Sequence, residues 1–119
     1  MALREQLKFE FLGSDIAEAC SQKVRYHKER LEWWTNEQEE AKAALKDAAV
    51  EFEEYEYTNG VELRVGIDQA KKARYDRCRG KIDAHRTNLE AYERWYRAFT
   101  VNPNYTFQLD WQDVTYFGL

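Results

Sequence analysis

Proline occurs once and glycine five times in this chain, so little in it interrupts regular structure. No apolar run approaches the roughly 20 residues a bilayer span needs, which excludes a transmembrane helix. The segment Met1 to Gly13 carries Arg4, Glu5, Lys8 and Glu10, which does not fit the hydrophobic region of a signal peptide. A basic surplus is also missing: the net charge is −4, which argues against a non-specific nucleic-acid binder. Cysteine is scarce, with only Cys20 and Cys78, and we expect a reducing, cytoplasmic setting. There is no Gly-rich phosphate loop, and Gly66 and Gly80 stand alone.

What is present is helical periodicity over a single-domain length, 119 residues with 34% charged and 44% hydrophobic side chains. From Ser14, a good N-cap followed by Asp15 and Glu18, to about Ala49 there is no Gly or Pro. Cys20, Val24, His27, Leu31, Trp34, Gln38, Ala41, Leu45 and Ala48 recur at alternating steps of four and three, which is a heptad seam. A second seam reads Ala70, Arg74, Cys78, Ile82, His85, Leu89, Tyr92, Tyr96 and Phe99, with Pro103 just past its end.

Short alternating segments flank these helices. Leu7, Phe9 and Phe11 alternate with Lys8 and Glu10, and Tyr105, Phe107, Leu109 and Trp111 with Thr106, Gln108 and Asp110. Asn59-Gly60 is a strong hairpin dipeptide between two further alternating runs. That alternation favours a β-hairpin over the competing tight helix–helix turn. The expected fold is mainly α (α+β): one domain over 1–119, a long antiparallel two-helix coiled-coil-like hairpin. Its elements are a strand at 6–12, a helix at 14–49, a β-hairpin at 52–66 at the tip, a helix at 68–100 and a strand at 104–111. The two terminal strands are expected to pair at the base.

A symmetric turn at 59–60 makes facing residues sum to about 119. Both seams obey this, with Cys20 opposite Phe99, His27 opposite Tyr92, Trp34 opposite His85 and Ala41 opposite Cys78. The rule sets His27 and His85 one heptad apart, about 10.5 Å along the axis, too far to share one metal ion. It likewise separates Cys20 from Cys78 by roughly 30 Å. No nucleophile–base pair forms, and we expect no enzyme and no cofactor.

Lys71, Lys72, Arg74, Arg77, Arg79 and Lys81 resemble a phosphate-binding stripe. The rule opposes them with acids, Glu40 to Arg79 and Asp47 to Lys72, so interhelical pairing is the preferred reading. Acids Glu51, Glu53, Glu54, Glu56 and Glu62 cluster around the tip.

Aromatic residues concentrate at the other end. Nine of the 18 (4 Trp, 8 Tyr, 6 Phe) lie within the last 28 residues: Tyr92, Trp95, Tyr96, Phe99, Tyr105, Phe107, Trp111, Tyr116 and Phe117. Adjacent Trp33 and Trp34, like Trp95 and Tyr96, diverge by about 100° on a helix, so one seam cannot bury both members. We expect a candidate interface of Trp33, Trp34, Trp95, Tyr96, Trp111, Tyr116 and Phe117. The expected function is a non-enzymatic protein–protein interaction module, an adaptor, assembly factor or small inhibitor. Its partner is a protein of unidentified kind, and the chain is expected to form a homodimer through helix faces. The alternatives are a metal- or ligand-binding bundle formed by His27 and His85 across a dimer, and a nucleic-acid binder using the Lys71–Lys81 stretch.

Overall fold

The computed structural model describes the backbone of residues 8–59 and 69–119, and the side chains of these residues except 46–59. The element order is β1 (Phe9–Leu12), α1 (Gly13–Asn59), α2 (Gln69–Thr100), β2 (Thr106–Leu109) and α3 (Trp111–Phe117). The protein is mainly α, with two long packed helices and one two-stranded antiparallel sheet. No helix among the described residues is long and apolar enough to cross a membrane. Two compact units make up the chain: Met1–Glu29 with Arg86–Leu119, and Arg30–His85.

The first unit holds the sheet, α3 and the larger core. β1 pairs with β2 from Phe9–Leu109 to Leu12–Thr106, as the alternating apolar residues predict. Phe9, Phe11, Phe107 and Leu109 turn toward a core of Ile16, Ala17, Cys20, Tyr92, Phe99, Val114 and Phe117. The chain passes from β1 into α1 without a linker, because Gly13 N–H donates to Tyr105 O and Ser14 N–H to Pro103 O, both at 2.9 Å. Gly13 sits so close to the facing loop that a Cβ there would lie 2.0 Å from the Asn102 carbonyl oxygen. Close approach of two backbones therefore dictates glycine at this point.

The sequence reading ran the last strand through to Trp111; the structure ends it at Leu109 and starts a helix. Asp110 caps α3, its carboxylate accepting from Asp113 N–H at 2.8 Å. Gly118, at φ 73°, closes α3 in the left-handed conformation, with Gly118 N–H donating to Thr115 O and Leu119 N–H to Val114 O. Val114 and Phe117 then face the core, and the apolar tail packs back on its own unit.

The second unit contains the middle of the hairpin, where α1 and α2 bury Ala41, Cys78 and Ile82. The expected β-hairpin at 52–66 is corrected in its first arm: residues 52–58 are helical, and α1 continues to Asn59. A run rich in Glu, a good helix former, extends a helix more readily than Tyr55 and Tyr57 alternation diverts it to a strand. The second arm and Gly60 lie outside the described residues. So do the side chains of the acidic cluster and of Asp47 and Ala48.

Both seams are largely occupied as expected. His27 stacks on Tyr92 at 5.6 Å between ring centroids, and Cys20 shares a core with Phe99. Tyr96 departs from the pattern and is exposed, as is Ala70. In the second unit Arg74 bonds Glu37 Oε1 through Nη2 at 2.7 Å and Nε at 3.0 Å, and reaches Glu40 at 3.5 Å. The summing rule instead sets Arg74 opposite position 45 and Glu40 opposite Arg79. The contact with Glu37 is offset from that rule by about two helical turns.

Candidate functional site

The first unit holds most of the aromatic side chains, on α2, β2 and α3. Phe99 lies at its centre, with Phe107 edge-on at 5.0 Å, Phe117 edge-on at 5.5 Å and Trp95 stacked at 5.8 Å. Edge-to-face and offset contacts of this kind add to simple burial. Tyr92 stacks on Tyr116 at 4.9 Å and donates its hydroxyl to the Tyr116 carbonyl at 2.7 Å. Burial, reinforced by Tyr116, raises the Tyr92 phenol above its ordinary range. The hydroxyl therefore stays protonated and keeps donating. Burial likewise pushes the Cys20 thiol up to about 11, which removes its nucleophilic form at neutral pH.

Four of the expected interface residues in this unit keep a large face in solvent: Trp95 at 44%, Trp111 at 42%, Tyr96 at 41% and Tyr116 at 39%. Phe117 does not, being 4% exposed as part of the core that α3 closes. Trp111 packs one edge on Phe9 at 6.1 Å. Trp95, Trp111 and Tyr116 thus each rest on a ring neighbour while much of their surface stays open. The arrangement presents rigid, amphipathic area that loses little side-chain entropy on contact.

The second unit carries Trp33 and Trp34. Trp33 is 48% exposed, Trp34 is half-buried, and the two rings meet edge-on at 4.7 Å. Arg30, one turn earlier, lies over both rings at 4.9 and 5.8 Å. Sequence reading missed Arg30; its i, i+3 and i, i+4 spacing to the two indoles was the available signal. The Trp34 Nε1 is buried with no acceptor among the described residues. Burial first, then the charges of Arg30 and Lys81, lowers the His85 pKa.

Among the described residues, no group of three or more His, Cys, Asp or Glu is placed to hold a metal ion. His27 is buried between Tyr92 and the edge of Tyr26, whose ring lies 5.0 Å away. Both cysteines are free and buried. Searches against protein-family models, curated proteins and solved structures find no match.

Proposed function

We propose that this chain is a non-enzymatic protein-interaction module, binding another protein through its exposed aromatic surface and associating with itself through helix faces. The supporting observation is that Trp95, Trp111 and Tyr116 stay about two-fifths exposed although an aromatic core lies directly beneath them. Tryptophan and tyrosine held rigidly at a surface are the side chains that dominate binding energy where proteins meet. Two free, buried thiols fit a cytoplasmic setting. Affinity capture from the native cell, with wild-type protein and a Trp95→Ala/Trp111→Ala chain, tests the reading. A protein retained by the first and lost by the second, at unchanged helicity, supports it; identical capture by both refutes it.

A further inference from the structure

In the first unit α3 covers only one flank of the α1–α2 pair. On that side Phe117 meets Trp95 at 5.8 Å, and Lys23 lies beside Gly118. Helical geometry puts Ser21 and Val24 on α1, and Tyr96 on α2, toward the opposite flank. There the helices leave a groove made of two adjoining cavities of about 310 and 350 Å³, which share Ser21 and Tyr96 as lining residues. Ser14, Ala17 and Ser21 on α1 line it together with the exposed Tyr96 of α2.

Four charges line this groove: Glu18 and Lys28 on α1, Glu93 and Arg97 on α2. None of the four has an ion-pair partner among the described residues. With two acids and two bases the groove selects neither an acidic nor a basic partner. Their placement is nonetheless ordered. The midpoint of Glu18 and Lys28 is position 23, and that of Glu93 and Arg97 is position 95. His27 stands beside Tyr92, so four residues back on α1 and four on along α2 bring positions 23 and 96 to one height. The two midpoints therefore coincide to within one residue, about 1.5 Å.

A two-fold axis crossing the groove at that height inverts each helix upon itself. It carries every acid onto a base, with no like-charge contact among the four. We propose that a second copy of this chain docks on this groove, α1 antiparallel to α1 and α2 antiparallel to α2. Glu18 then pairs with the partner's Lys28 and Glu93 with the partner's Arg97, each pair occurring twice. The axis passes beside Tyr96, whose ring packs against the second copy next to Ser21. The inference rests on the self-association reading above and names its face, whose lining includes neither Trp95 nor Trp111.

Sedimentation equilibrium of the full chain over about 1–300 µM, the range suited to a small interface, reads the result. The wild type dimerises with concentration. Lys28→Glu, an exposed site that leaves the fold intact, breaks two pairs, sets like charges together and weakens the dimer about ten-fold. Glu18→Lys combined with Lys28→Glu swaps both charges, rebuilds the pairs and restores wild-type association. Trp111→Ala leaves the dimer unchanged. Three results overturn the proposal: a monomer throughout, a dimer indifferent to Lys28→Glu, or a loss the double swap does not repair. A dimer that Trp111→Ala dissolves and Lys28→Glu spares also overturns it, while keeping self-association through the aromatic surface. A strict monomer leaves binding to another protein to be decided by the capture experiment.

Discussion

Replacing Gly13 by alanine gives the sharpest test of how the first unit is joined. In an unconstrained helix the change gains up to about 1 kcal/mol. Here a Cβ would sit 2.0 Å from the Asn102 carbonyl oxygen, 2.9 Å from its carbon and 3.1 Å from the Phe99 carbonyl oxygen. Ordinary contact begins near 3.4 Å, so one backbone must retreat by more than an ångström. That loop is tied by Asn102 N–H to Phe99 O at 3.2 Å and Tyr105 N–H to Asn102 O at 3.3 Å. It also accepts from Gly13 and Ser14 through Tyr105 O and Pro103 O. Retreat strains overpacked backbone, about 1–3 kcal/mol, and weakens one or two of these bonds at about 1 kcal/mol each. Net destabilisation of about 1–4 kcal/mol is expected after the propensity gain. Gly80→Ala is the internal control: the site is exposed on α2 and nothing lies within 4 Å of a Cβ there. It should stabilise by about 1 kcal/mol. Urea unfolding followed by circular dichroism reads both, as opposite shifts in midpoint. A Gly13→Ala chain as stable as wild type would refute the close approach that joins β1 to α1.

Three further outcomes follow from single groups. Tyr92→Phe keeps the ring stacking and removes only the bond to the Tyr116 carbonyl. It should cost about 1 kcal/mol in the same urea assay. Cys20 and Cys78 are 0% and 1% exposed, so the native protein should not react with a thiol-disulfide dye at pH 8. Both thiols should titrate at once in guanidinium. His85 is held below its ordinary 6.5, so the unfolded chain takes up its proton first as pH falls. Stability from this group is full above about pH 6.5 and lost progressively below it, down to the folded value. Measured against His85→Gln, the wild type should lose ground across that window, and an NMR titration of the imidazole should report the depressed value directly.

The helices and terminal strands were legible because their signals are local and repeated. A heptad seam over many turns averages out exceptions such as Gln38, and Phe9 and Phe11 alternate cleanly with charge. The α1 end was not legible for the opposite reason. Between Phe52 and Thr58 the alternating tyrosines and the helix-favouring glutamates offer conflicting local preferences. The extension of a helix already in progress, one bond per residue with no new nucleus, carries α1 through to Asn59. The partner of Arg74 was unreadable too. A long side chain selects its carboxylate by local geometry, and Glu37 meets it at 2.7 Å where the seam arithmetic assigned position 45.

The aromatic surface was half legible, and the part that failed changes what the surface is. Period-two alternation from Tyr105 to Trp111 led the reading past Asp110, yet an Asp followed three residues later by Asp113, with Gly118 beyond, marks the start and stop of a short helix. Once α3 forms, Phe117 is drawn into the core and Tyr92 gains the Tyr116 carbonyl. Trp111 and Tyr116 are left projecting from a capped, hydrogen-bonded helix rather than from a loose tail. Covering one flank with α3 also leaves the Ser21–Tyr96 groove on the other. A single seven-residue helix therefore separates two candidate contacts that the sequence presented as one aromatic surplus. Breaking it distinguishes them. Asp110→Ala removes the cap, about 1 kcal/mol, and loosens the platform of Trp111 and Tyr116. It touches none of the four groove charges, so capture of another protein should weaken while association between copies persists. Loss of both together would show that the two contacts are one surface.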